Sequence, residues 1–142
     1  MADSVTPVQR SANMARVKGK DTKPEKIVRS ILHGMGYRFR LHRKDLPGKP
    51  DIVLPKHRKV IFVHGCFWHG HEGCHRSARP STNKEFWNTK INGNIERDRR
   101  SLLNLANLGW SALIVWECEM RNKELLKKML EDFLVGSSEG QE

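Results

Sequence analysis

Long apolar runs are missing from this chain. The longest is the five residues 112–116, far short of the ~20 that a membrane-spanning helix needs. Residues 1–20 also lack the apolar core of an export signal, so a cytoplasmic location with no membrane partner is expected. Cysteine is scarce and odd in number, with three in 142 residues. In a cytosolic chain that argues against a disulfide framework and for metal ligands or free thiols. Acidic charge is short as well: 16 Asp and Glu stand against 26 Lys and Arg, a net charge of +10. That excess favours an anionic partner, with nucleic acid first among the candidates. No internal repeat is present, which excludes solenoids, and the length suits one domain.

Residues 1–20 form a polar, basic arm around a lone apolar Met14. Thr22-Lys-Pro-Glu25 then fits a capping box opening a helix, with Ile27, Val28, Ile31, Leu32 and Met35 at helical spacing and Gly34 and Gly36 closing it. On this reading Glu25 is a capping residue. Alternation from Tyr37 to His42 predicts a strand with Tyr37, Phe39 and Leu41 on one face. Leu46-Pro-Gly-Lys-Pro50 is a turn, Ile52–Leu54 and Val60–Val63 are two apolar strands, and a basic connection joins them. A helix is expected from about Lys84, its apolar face tracked by Trp87, Ile91, Ile95, Leu102, Leu105 and Leu108; Gly93 is a candidate break and Gly109 the end. Trp110–Trp116 is the last strand and Lys123–Leu134 the last helix, with Leu125, Leu126, Met129, Leu130 and Phe133 inward. Residues 136–142 are a polar tail expected to be disordered. The order α-β-β-β-α-β-α predicts an α/β domain over 21–135: a mixed central sheet flanked by helices on both faces, with chemistry in the loops beyond the strand ends.

The densest stretch is Val60–Cys74, VIFVHGCFWHGHEGC. Cys66, His71 and Cys74 are spaced like metal ligands, and Cys118, just past the last strand, lies at the same end of the sheet. Together they make a Cys3His set, the composition of a closed structural zinc site. His69 and His75 are alternative imidazole ligands. Such a zinc would hold a loop that has few apolar residues to pack. Phe67 and Trp68 read as ordinary burial against that loop.

Pro50-Asp51 opening a strand, with a second strand one hairpin later, resembles the PD-(D/E)xK nuclease core, although Phe62-Val63-His64 carries neither its second acid nor its lysine. Phosphodiester hydrolysis needs a hard cation, a base for the attacking water and an acid for the leaving oxygen. Asp51 can supply a cation ligand, and His64 or His69 can exchange protons near neutral pH.

More specifically, RSANM at 10–14, DTKPE at 21–25, LPGKPD at 46–51 and VIFVHGCFWHGH at 60–71 resemble the very-short-patch repair (Vsr) endonucleases. EFW at 85–87, NIERDRR at 94–100, LGW at 108–110 and IVWEC at 114–118 extend the resemblance, which runs to about residue 134. The resemblance implies a restriction-endonuclease-like fold and a bacterial enzyme, acting on its chromosome, that nicks one strand of duplex DNA 5′ of the thymine of a T:G mismatch. Such lesions arise by deamination of 5-methylcytosine, which links the activity to a DNA cytosine-5 methyltransferase. It further implies catalytic magnesium on Asp51 and the Val63 carbonyl, where members commonly carry threonine. His69 would be the general acid or base, oriented by Glu25, and His64 would contact the reacting phosphate. Phe67, Trp68 and Met14 would form a wedge beside the mismatch. Nicking of an asymmetric lesion suggests a monomer. The gap between His71 and Cys74 is one residue longer than in some members.

Overall fold

The computed structural model describes residues 22–139, with side chains through 135. The basic arm and Met14 lie outside the described residues. Seven elements follow in chain order: α1 (Lys23–Gly34), β1 (Arg40–Leu41), β2 (Ile52–Leu54), β3 (Lys59–His64), α2 (Lys84–Asn107), β4 (Ser111–Trp116) and α3 (Lys123–Glu139). Short 3-10 turns occupy Pro55–His57, His75–Ser77 and Glu117–Arg121. The sheet is mixed, ordered β1-β2-β3-β4, with the first two pairings antiparallel and β3 parallel to β4. This is the α/β architecture that the periodicities predict.

Side-chain alternation along β2, β3 and β4 divides the core in two. Ile52, Leu54, Ile61 and Val115 face α1 and α3, where Val28, Leu32, Leu126, Leu130 and Leu134 complete the layer. Val53, Val60 and Phe62 face the other way, toward Leu105 of α2 and Leu46 of the β1–β2 connection. Lys59 opens β3 with a buried ammonium, satisfied by the carbonyls of Phe133 and Leu134 at 3.1 and 2.6 Å.

Four local expectations are corrected. The first strand contracts from 37–42 to two residues, because among the described residues it pairs with β2 alone, which offers three; Leu41 is exposed, whereas Tyr37 and Phe39 pack on the core. Gly93 does not break α2, having open space around it inside a continuous helix. Ile95, Leu108 and Leu125, expected inward, are exposed; the buried spacing of α3 is instead Leu126, Leu130, Leu134. Finally, α3 continues to Glu139, beyond the helix end expected at Leu134.

The β1–β2 connection is pinned where Gly48 approaches α2. A Cβ there would lie 2.8 Å from that of Ser101, and φ is +76°, so both space and backbone require glycine. This docking sets the position of Pro50 and Asp51 as the chain enters β2.

Candidate active site and metal centre

One end of the sheet gathers the start of β2 and the ends of β1, β3 and β4. Asp51 stands at its middle. Its Oδ2 accepts the Val63 N–H at 2.7 Å. An extended residue directs N–H and C=O to the same strand edge, so the Val63 carbonyl lies on the β2 side as well. Burial chiefly, with the Glu25 carboxylate adding, pushes the Asp51 carboxyl up to about 6; the Val63 N–H, His42 and His69 act against this. Asp51 therefore feels groups on both sides of the sheet.

On the α1 side, Glu25 is buried. Its N–H reaches the Thr22 hydroxyl at 3.4 Å, which is half a capping box. Its carboxylate instead accepts from Arg29 at 3.1 Å and lies 3.6 Å from His42 Nε2. Capping is thus not the use of the Glu25 side chain. Arg29 also lies 3.2 Å from His42 Nε2. His42 itself takes a left-handed φ of 54°, with its N–H on the Asp51 carbonyl at 3.1 Å. Glu25, His42 and Asp51 bring their ligand atoms within 4.8 Å of one another.

On the α2 side, His64 is the last inward residue of β3. It stacks on His69 with ring centroids 3.7 Å apart and planes 6° from parallel. His69 Nδ1 contacts Asp98 Oδ2 at 2.7 Å, and His64 Nδ1 lies 4.0 Å from the same oxygen. The carboxylate oriented against His69 is therefore Asp98, where the resemblance implied Glu25. Burial holds His64 down to about 4, helped by His69 and opposed by Asp98, so its imidazole is neutral at pH 7. An imidazole clamped by a carboxylate beside a neutral one can take a proton from water or give one to an alkoxide.

Asp98 carries a signal in the sequence. It sits seven residues after Ile91 and four before Leu102, on the apolar stripe of α2, where a carboxylate has no packing reason to be. His42 carries little such signal, since its neighbours Arg38 and Arg40 make it look like one more basic residue on an outer strand face.

Beyond β3, Cys66, His71, Cys74 and Cys118 bring their ligand atoms within 4.8 Å of one another. The His71 Nδ1 to Cys118 Sγ distance is 3.5 Å. A tetrahedron with Zn–S of ~2.3 Å and Zn–N of ~2.05 Å has an N···S edge of about 3.6 Å, so this donor set fits zinc. Without a cation, burial pushes the Cys66 thiol up to about 12, an environment in which a thiolate needs a metal to form. His75 is exposed on its 3-10 turn, and His69 is engaged with Asp98. The imidazole in the cluster is thus His71. Local hydrogen bonds shape the loop: His71 N–H to the Cys66 carbonyl at 2.9 Å, and the Ser77 hydroxyl to the carbonyls of His71 and Cys74.

Phe67 and Trp68 are half-buried and stack edge-on at 5.1 Å. Both lean on Trp87 near the start of α2, at 5.4 and 5.9 Å, next to an exposed Phe86. They are neither core nor free. Asn94 holds the loop by donating to the Trp68 carbonyl at 2.8 Å. Phe86, Lys90, Asn94 and Arg97 line an open groove alongside.

The family model for DNA mismatch endonuclease Vsr matches residues 2–76. The chain belongs to the Vsr family of DNA mismatch endonucleases. Among its relatives, the type II nicking enzyme V.XorIIP of Xanthomonas oryzae is 50% identical over 134 residues, which cover 94% of this chain and 98% of that one. The DNA mismatch endonuclease Vsr of Escherichia coli is 45% identical over 141 residues, covering 96% and 90%. A solved structure, the catalytic domain of the homing endonuclease I-Bth0305I, has the same fold with a TM-score of 0.59. It covers 82% of this chain and 97% of that one at 23% identity. Membership makes the present Vsr-family chain a DNA endonuclease, and its excess of positive charge suits that substrate. Among the described residues, no helix is long and apolar enough to cross a membrane.

Proposed function

We propose that this Vsr-family endonuclease nicks one strand of duplex DNA 5′ of the thymine of a T:G mismatch. The observation that carries the reading is the convergence of Asp51, the Val63 edge, His64 and His69–Asp98 at one sheet end, beside Phe67 and Trp68. Water activation, leaving-group protonation and base-pair probing thereby share one surface.

Asp51 and the Val63 carbonyl fit magnesium, which takes one or two protein oxygens and leaves other positions to water and phosphate. Bound there, magnesium would neutralise charge on the scissile phosphate. His69, held by Asp98, moves the proton at its other ring nitrogen, and neutral His64 faces the phosphate as a hydrogen-bond donor. Glu25, with Arg29 and His42, keeps a second carboxylate next to Asp51. Phe67 and Trp68, backed by Trp87, form an apolar wedge that Met14 would complete on DNA. A wobble pair stacks weakly, which makes such insertion cheapest at the lesion. Cys66, His71, Cys74 and Cys118 hold a structural zinc that keeps the loop bearing Phe67, Trp68 and His69 in place. The partner is double-stranded DNA bound by a monomer in the cytoplasm, at sites made by a DNA cytosine-5 methyltransferase.

The test is a panel of duplexes carrying T:G, matched T:A or C:G, and other mismatches in several methylation contexts, with magnesium. Nicking confined to T:G supports the reading. Equal cutting of matched duplexes would show a Vsr-family nuclease with a different specificity.

A further inference from the structure

Four rings form an unbroken column between the catalytic histidines and the cysteine cluster. His69 lies on His64 at 3.7 Å, and His64 meets Trp116 edge-on at 5.2 Å and 76°. Trp116 then lies flat on His71 at 4.0 Å, with planes 5° apart. The register explains the contact: His64 and Trp116 are paired at the ends of β3 and β4.

His64 depends on this packing. Among the described residues its Nδ1 is buried without a hydrogen-bond partner and lies 4.0 Å from Asp98. No described polar group lies within hydrogen-bond distance on that side, and the rings of Phe62, His69 and Trp116 pack around the imidazole. Trp116 has its backbone anchored by Glu119 at 2.7 Å, while its indole face is covered by His71. Zinc is equally content with four thiolates, so metal binding alone does not explain an imidazole at position 71.

We propose that His71 serves as a ring platform as well as a metal ligand. Through Trp116 it sets the orientation of His64, and with it the His64–His69 pair, which makes Trp116 and His71 positioning residues for the nicking reaction. The proposal rests on the nuclease reading above. It extends that reading by assigning the cluster a share in catalytic geometry beyond holding the loop.

His71→Cys separates the two roles, because a four-cysteine set still takes zinc but offers no ring. The zinc-supplemented variant is compared with the parent by elemental analysis, affinity for a T:G duplex without magnesium, single-turnover nicking with magnesium, and NMR of the histidine ring nitrogens in DNA-free protein. The expected result is one zinc per chain, affinity within about threefold, displaced His64 and His69 ring signals, and nicking slowed roughly 10- to 100-fold, as small misplacements of catalytic groups cost. Parental nicking with zinc bound overturns the proposal. Should His71→Cys fail to hold zinc, Trp116→Leu and Trp116→Phe decide without touching a ligand. Slow nicking by the leucine variant with near-parental nicking by the phenylalanine variant supports the column; equal rates overturn it. If the parent itself does not nick T:G duplexes, the ring signals still decide. Displacement in His71→Cys and Trp116→Leu but not in Trp116→Phe supports the column, and no displacement overturns it.

Discussion

Asp51→Asn should make the protein more stable while abolishing its activity. Partial burial raises the Asp51 carboxyl from its ordinary 3.8 to about 6. The ionised form is thus disfavoured in the folded state. Stability from this group is full below pH 3.8 and is lost as pH rises through about 6. At about 1.36 kcal/mol per pH unit, the ionised carboxylate costs about 3 kcal/mol at pH 8 and about half of that at pH 5. Asparagine removes the charge and keeps an oxygen for the Val63 N–H, so it should recover most of the difference. For a chain of this size the gain is about 9 °C in Tm at pH 8, falling to about 5 °C at pH 5. The assay is thermal unfolding of zinc-loaded, magnesium-free protein at both pH values. His64, whose lowered value instead removes stability as pH falls from 6.5 toward 4, is common to both proteins and drops out of the comparison. Added magnesium should then stabilise the parent and leave the variant unchanged. An asparagine variant less stable at pH 8, or a gap that does not change with pH, would refute the reasoning.

Asp98→Asn leaves His69 without its carboxylate and should slow single-turnover nicking by about 100-fold or more, with little change in DNA affinity. Phe67→Ala combined with Trp68→Ala should erase most preference for mismatched over matched duplex, read as a ratio of affinities. Stripping zinc with a chelator should expose the loop around 65–83 to proteolysis before the sheet unfolds, and restoring zinc should protect it. Lys59→Met should lower Tm measurably, because the carbonyls of Phe133 and Leu134 lose their buried donor.

Most of the architecture was legible because its signals are local. Helical spacing at Val28 and Leu32, apolar strands at 52–54 and 60–63, and the glycine after α2 each act within a few residues of chain. The errors came where a partner decides: β1 is as long as β2 allows, and Leu125 faces solvent because helix packing selected the stripe through Leu126. The site divided in the same way. Asp51, His64, His69 and the four cluster residues stand out by type and spacing. Asp98 lies in an arginine-rich run; its place on the apolar stripe of α2 is a sequence signal, but its partner His69 appears only when α2 is laid across the sheet. His42 depends on a left-handed backbone and on Glu25 and Arg29 from another element, which spacing within its own strand does not reveal. The double employment of His71 required two strands in register.

The central claim is tested most directly by mapping, to the nucleotide, the products of a T:G duplex incubated with magnesium and either the parent or Asp51→Ala. The account predicts one nick 5′ of the mispaired thymine from the parent and none from the variant. Cleavage by Asp51→Ala at the parental rate, or parental cutting of both strands irrespective of the mismatch, would contradict it.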